Sequence, residues 1–399
     1  MDLKPARMTP ITGMDNRSDD AELWVLGEQP SMRVRDALNV DVTGDGRLRM
    51  RRGWRLVTGA AYRDLWQNPV HGDVFGRMGA EWVRINDMAA GQHEVLADIG
   101  EDRGCAHTLL NNKVMVASLA GVWEFDGDAA QPLGMQRPAG PVLGVDLGAG
   151  SLPAGRYGFC VAWVRDGQES GTSEVVFADV PDQSAVTVTP PLCMEPGVSA
   201  ARIYMTATNG GDFHLEVDAP LGTSQAFPLP TLAGRPPMFP SMEPMPGGVF
   251  LQAWRGRIVT ARANVLRFSQ PLAYHVHDPI RDHVTLPQRI TFVVAMDGGI
   301  WVGQRDRVVF LAGDQPAALR VASHHAGAPV PGSAVVAMPG ELSGELGMSQ
   351  AAVWLGEYGY VAGTPSGEAI NLQKSALSGL SGASGTSVVF EQRAYTAVN

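Results

Sequence analysis

At 399 residues the chain is too long for one compact core, and 47 glycines, 28 prolines and only 18% charged residues favour many short strands over long amphipathic helices. A hydrophobic fraction of 45% excludes global disorder, and a formal net charge of −10 argues against a nucleic-acid binder that works by neutralising phosphates. Cys105, Cys160 and Cys193 show no C-x-x-C spacing, which argues against a zinc site or a redox pair; buried free thiols are favoured over a Cys160–Cys193 bridge.

Met1 to Asp20 is polar and proline-bearing, with no apolar signal region, and is expected to be an irregular arm made in a reducing cytosol. No apolar run approaches the ~18 residues needed to span a membrane, so no membrane insertion is expected. Next, Met32–Trp54 (MRVRDALNVDVTGDGRLRMRRGW) predicts a hairpin. Val34, Leu38, Val40 and Val42 lead into a Thr43-Gly44-Asp45-Gly46 turn, and Leu48 and Met50 return in alternation with arginines. Pro69–Asn86 and Cys105–Gly127 each predict short apolar strands around a Gly or Asn turn, one strand carrying Trp82 or Trp123. Trp301 after Asp297-Gly298-Gly299, and Trp354 before Gly356, repeat the theme. Weak self-similarity at ~40–45 residues with an aromatic on a central strand suggests propeller blades.

From Pro138 to about Met245 the pattern changes. An alternating strand Tyr157–Val164 precedes an acidic turn, Asp166–Ser170, and five further strand-like runs end at Phe227. Six or seven strands in about 100 residues, with Trp163 on an early one, describe an immunoglobulin- or fibronectin type III-like sandwich. Pro228–Pro246 then reads as a stiff return linker. The last segment, beyond a Gly/Ser-rich stretch at Ser375–Ser387, is a strand that can help close a blade. The expected architecture is all-β: an arm (1–20), a first propeller part (21–137), an inserted sandwich (138–246) and a second propeller part (247–399).

Candidate chemistry is sparse. His275-Val276-His277 has metal-ligand spacing, with Asp278, Asp282 and His283 close behind, but Pro271, Pro279 and Pro287 predict an exposed loop instead. Asp41–Gly46 resembles the start of a calcium loop, yet Arg52 stands where a bidentate Glu is required. His324-His325 reads as solvated. Motifs for nucleophilic catalysis, phosphate cradling or zinc hydrolysis are missing, and a carboxylate pair for glycoside hydrolysis is a weaker alternative. The expectation is a non-enzyme with no cofactor and no metal. What remains is a basic band, Arg33, Arg35, Arg47, Arg49, Arg51, Arg52 and Arg55, in an acidic protein. It is read either as a docking face for a partner or as a solvated strand face.

Three stretches resemble phage tail nozzle proteins, the tail-accessory or packaged-DNA-stabilisation family of short-tailed phages. They are Arg35-Asp36-Ala37-Leu38-Asn39-Val40-Asp41 with Gly46-Arg47-Leu48 and Arg52-Gly53-Trp54; Arg255-Gly256-Arg257-Ile258 with Leu266 to Pro271, Asp278-Pro279 and Ile290; and Asp297 to Gly303 with Val309 to Gly313. The inserted sandwich resembles fibronectin-like domains of virion proteins. The resemblance implies a structural virion protein in a homo-oligomeric ring, typically a hexamer. The ring would sit below the portal and head–tail adaptor, with phage DNA passing through its lumen. Two competing expectations are a tail-tip protein that recognises a bacterial surface glycan and a propeller glycosidase acting on that glycan.

Overall fold

The computed structural model describes residues 9–26, 30–43, 45–51, 55–100, 104–342, 349–373, 375–390 and 392–399. The described residues are all-β: strands joined by turns, two 3-10 turns (Asp20–Leu23 and Pro316–Ala318) and no α-helix. The chain divides into two compact units, one of residues 61–87 and 92–285 and the other of residues 1–60, 88–91 and 286–399.

In the first unit, three four-stranded antiparallel meanders carry the pattern predicted from local alternation. One comprises Arg63–Gln67, Val74–Met78, Glu81–Asp87 and Gln92–Asp98; the second Ala106–Leu110, Lys113–Ala117, Val122–Phe125 and Ala130–Pro132. The third comprises Phe250–Trp254, Arg257–Arg262, Val265–Phe268 and His283–Thr285. Their turns use residues that tolerate positive φ, such as Asn111 and Asn112 (φ 51° and 60°) and Gly79 (φ 62°). Successive meanders pack face to face. Phe75 and Trp82 of the first meet Val114, Val116 and Phe125 of the second. From its other face the second contributes Met115, Ala117 and Val122, which meet Leu251 and Ile258 of the third. Alternating strand residues explain how one sheet serves both cores.

Between the second and third meanders lie two sheets. Val142–Asp146, Ala185–Thr189 and Gln225–Phe227 form one; Gly155–Arg165, Gln168–Glu169, Val176–Val180, Ala200–Thr206 and Phe213–Pro220 form the other. Tyr157, Phe159, Val161, Ile203 and Met205 of the larger sheet bury against Val186, Val188 and Phe227 of the smaller. Each predicted strand from Tyr157 to Phe227 is present.

The second unit holds two further meanders. Ile290–Met296, Gly299–Gln304, Arg307–Ala312 and Arg320–Ala326 make one; Val335–Ala337, Ala351–Gly356, Gly359–Gly363 and Ala369–Asn371 make the other. Trp301 and Trp354 are buried with ring centroids 5.4 Å apart, and the Trp301 indole N–H donates to Thr364 O at 3.0 Å. Gly363 packs here because a Cβ would come within 2.5 Å of Trp301. Two hairpins, Val40–Val42 with Leu48–Met50 and Gly385–Phe390 with Arg393–Val398, belong to the same unit. Where the composition predicts an irregular arm, Ile11–Met14 is a strand paired in parallel with Ser31–Val34. Its short ITGM run offered too little periodicity to be read locally.

Candidate interaction surface

The arginine band is built around the first hairpin. Val40 opposes Met50, Asp41 opposes Arg49, and Val42 opposes Leu48. Opposed residues share a face, so one face is apolar (Val40, Val42, Leu48, Met50) and the other carries Asp41 and Arg49 with their alternating neighbours. The turn closes as the Thr43 hydroxyl accepts from the Arg47 N–H at 3.0 Å and contacts Asp45.

Most of the described arginines are matched locally by carboxylates. Arg47 lies 3.1 Å from Asp45, Arg51 3.8 Å from Asp41, and Arg35 2.7 Å from Asp20. Such exposed pairs are screened by solvent and add little to stability. Arg33 reaches Asp15 at 3.0 Å; the Asp15 side chain is fully covered. Backbone N–H groups of Ser18 and Arg17, then the Arg33 guanidinium, hold Asp15 well below the usual carboxylate range. Arg49 and Arg55 are exposed and make no ion pair with a described residue; Arg52 lies outside the described residues. The surface therefore carries both signs of charge rather than bare positive charge.

Sequence reasoning read the polar face and missed the other one. Leu26, Leu38, Met50 and Leu56 are each 75–86% exposed, and Trp24, Leu48 and Val57 about half exposed. The signal was present in the Leu-Arg-Met alternation, but periodicity says which residues share a face, not whether that face is covered.

The histidine segment corrects the expectation of an exposed loop. Val276–His277 is a short strand paired with Glu243–Pro244, and His275, His277 and Asp282 are all buried. His275 Nε2 lies 3.0 Å from Glu169 O and His277 Nδ1 2.8 Å from Phe268 O, so one nitrogen of each ring is taken up by backbone. The prolines shape a buried return rather than a solvated one. Around Asp41–Gly46, of which Gly44 lies outside the described residues, Val40–Val42 pairs with Leu48–Met50 as the predicted hairpin. Of the His324-His325 pair, His324 is exposed, while His325 is half-buried edge-on to Trp354 at 5.9 Å. Cys105, Cys160 and Cys193 are free thiols; burial pushes Cys105 and Cys160 up to about 12.

Glu169 is a hub that the sequence showed only as part of an acidic turn. Its covered carboxylate accepts from Arg202 at 2.8 Å, Arg235 at 2.6 Å, Tyr204 at 2.7 Å and the Met238 N–H at 3.2 Å. Arg235 and Met238 come from the proline-rich linker, so this one side chain pins the linker to the larger of the two sheets between the second and third meanders. Every bond is satisfied, which marks a structural node.

No family model and no curated protein matches the chain. Among solved structures it is similar to the computationally designed Ika8 protein, at 14% identity over 86% of this chain and 94% of that one, with a TM-score of 0.25. Sqt1 of Saccharomyces cerevisiae shows 10% identity over 76% and 93%, with a TM-score of 0.19. The AfRom2 CNH domain shows 9% identity over 76% and 91%, with a TM-score of 0.18. Similarities this low carry no weight for fold or function, and the strand pairing stands by itself.

Proposed function

We propose that the protein is a non-catalytic structural subunit of a bacteriophage tail, a β-propeller interrupted at 138–246 by an immunoglobulin- or fibronectin-like sandwich. Copies assemble into a ring, a hexamer by the resemblance, that sits below the portal and adaptor as a nozzle for DNA. The face-to-face stacking of consecutive four-stranded meanders supports the propeller reading. Two sheets closing on one apolar core support the sandwich reading.

The observation that carries assembly is the number of exposed large apolar residues between Trp24 and Val57, with Leu48 and Met50 on one face of the first hairpin. Fully covering a Leu or Met side chain is worth about 1.5–3 kcal/mol, so exposure of this many favours a partner over water. A second copy suits it. The neighbouring rim carries Arg47 with Asp45 and Arg51 with Asp41, the mixed charge that identical chains can complement. A net charge of −10 also disfavours phosphate adhesion during DNA passage.

Three experiments test this reading. Mass photometry and electron microscopy of the purified protein are expected to show rings. Leu48→Asp with Met50→Asp, both on exposed positions, is expected to give monomers with unchanged circular dichroism. Mass spectrometry of purified phage particles is expected to find the chain in the tail. A wild-type protein that stays monomeric at micromolar concentration and is absent from particles would sink the proposal.

A further inference from the structure

A cavity of about 660 Å³ opens beside the third strand of the second meander, against the segment 243–247. That lies within the ~300–1,000 Å³ range of small-molecule sites. Trp123 lines it, half-buried, with its side chain also packed against the core of the first and second meanders. The benzo ring lies by Gly121, where a Cβ would stand 3.4 Å from Cη2 and 3.5 Å from Cζ3; glycine leaves that part of the ring uncovered.

Four polar side chains line the same space: Gln136, Arg137, Glu195 and Glu243. Arg137 is anchored as its Nε donates to Thr172 O at 2.8 Å. The side chains of Gln136, Glu195 and Glu243 make no hydrogen bond or salt bridge with a described residue. Glu195 interacts with the charge of Arg165 and Glu243 with His277, but polar residues without a hydrogen-bond partner among the described residues, lining a cavity beside an aromatic residue, fit a polar ligand better than an apolar one.

The walls are held before any ligand arrives. A Cβ at Gly134 would fall 2.8 Å from Pro244 Cβ, and one at Gly247 would fall 2.7 Å from Gly121 N, so the two walls touch at both glycines. The Met245 N–H donates to His275 O at 3.1 Å, and Pro246 O accepts from the Thr260 hydroxyl at 2.8 Å. Met245 itself is buried against Met115 and Ile258. A preorganised cavity avoids the ordering cost that weakens binding by mobile loops.

We propose that this cavity is a carbohydrate site for a neutral or amino sugar, whose C–H face stacks on Trp123. Its hydroxyl or ammonium groups donate to Glu195 and Glu243, and its oxygens accept from Arg137 and Gln136. Hydroxyl groups both donate and accept, which suits a lining of carboxylates, guanidinium and amide. A phosphate or uronate would meet Glu195 and Glu243 in the lining, and the Arg165 guanidinium beside Glu195 is already bonded to the Pro132 and Leu133 carbonyls, which leaves Arg137 as the lining's cation and disfavours anions. The proposal is independent of ring assembly.

The test is calorimetry and saturation-transfer NMR on the full-length protein with three probes: diacetylchitobiose, the glucosamine disaccharide and digalacturonate. At least one of the first two is expected to saturate, with digalacturonate about tenfold weaker or more. Trp123→Ala is expected to abolish binding. Because Trp123 also packs on the core, Gln136→Ala with Glu243→Gln serves as the second variant; both positions are exposed, and a loss of about tenfold with an unchanged melting temperature is expected. The proposal is overturned if neither of the first two saturates, if digalacturonate binds best, or if the double variant binds as tightly as the wild type. Mass photometry on the same samples reads assembly separately.

Discussion

His107 shows what burial does to a single side chain. It stacks on Trp66 with centroids 5.7 Å apart, lies 6.2 Å from Trp82, and its Nε2 has no hydrogen-bond partner among the described residues. Burial pushes its pKa from the ordinary ~6.5 down to about 3, and His275 and His277 are also held low by burial. A base depressed in the folded state binds fewer protons folded than unfolded. Its stability contribution is therefore full above about pH 6.5 and lost as pH falls through that value toward the folded pKa. The urea midpoint by tryptophan fluorescence is expected to fall between pH 7 and pH 5, and His107→Phe to flatten that slope. A midpoint constant over this range would contradict the assignment. Glu169 acts in a lower window. Burial opposes its charge most strongly, but the combined bonds from Tyr204, Arg235 and Arg202 hold it below the usual range. Its contribution is present above the ordinary ~4.3 and lost as pH falls below it. Glu169→Ala leaves the buried Tyr204 hydroxyl without its acceptor, while Arg202 keeps Asp218, and is expected to cost about 1–3 kcal/mol in denaturant unfolding at pH 7. Neither role was legible in the sequence, because Tyr204, Arg202 and Arg235 lie far from Glu169 along the chain.

At the scale of elements, strand existence was legible and strand environment was not. Val74–Met78 with Glu81–Asp87, and Ala106–Leu110 with Lys113–Ala117, follow from period-2 alternation and turn residues, both local properties. The recurrent tryptophan is real, but it sits on the third strand in two meanders (Trp82, Trp123) and on the second in two others (Trp301, Trp354). Its position is decided by which face meets the neighbouring sheet. Gly363→Ala tests that packing. The new methyl would meet Trp301 and Trp354 at 2.5 and 2.9 Å, and overpacking of this kind is expected to cost about 1–3 kcal/mol by urea unfolding. An unchanged midpoint would mean that the two rings are free to give way.

For the whole molecule, the two sheets between the second and third meanders share their own apolar core, with Tyr157, Phe159, Val186, Ile203 and Met205 essentially inaccessible to water. The first part of the linker is pinned to these sheets through Glu169, while the linker's end at Glu243–Pro246 is bonded to Val276–His277 and to the third meander. A fragment of residues 135–246 is expected to fold alone with a β-type circular dichroism spectrum and a cooperative thermal transition. Non-cooperative melting would show that the core depends on the flanking meanders.

The amino-acid sequence by itself determined the strand class, the change of character near Pro138, the turns at Asn111-Asn112 and Asp45-Gly46, and the alternation of arginine with Leu48 and Met50. These rest on local backbone preference and on a two-residue period. Only the tertiary structure decided that His275 and His277 are buried, that the apolar face of the first hairpin is exposed, and that Trp123, Glu195 and Glu243 share one cavity. Burial and convergence depend on which distant segments meet, and no local pattern carries that information.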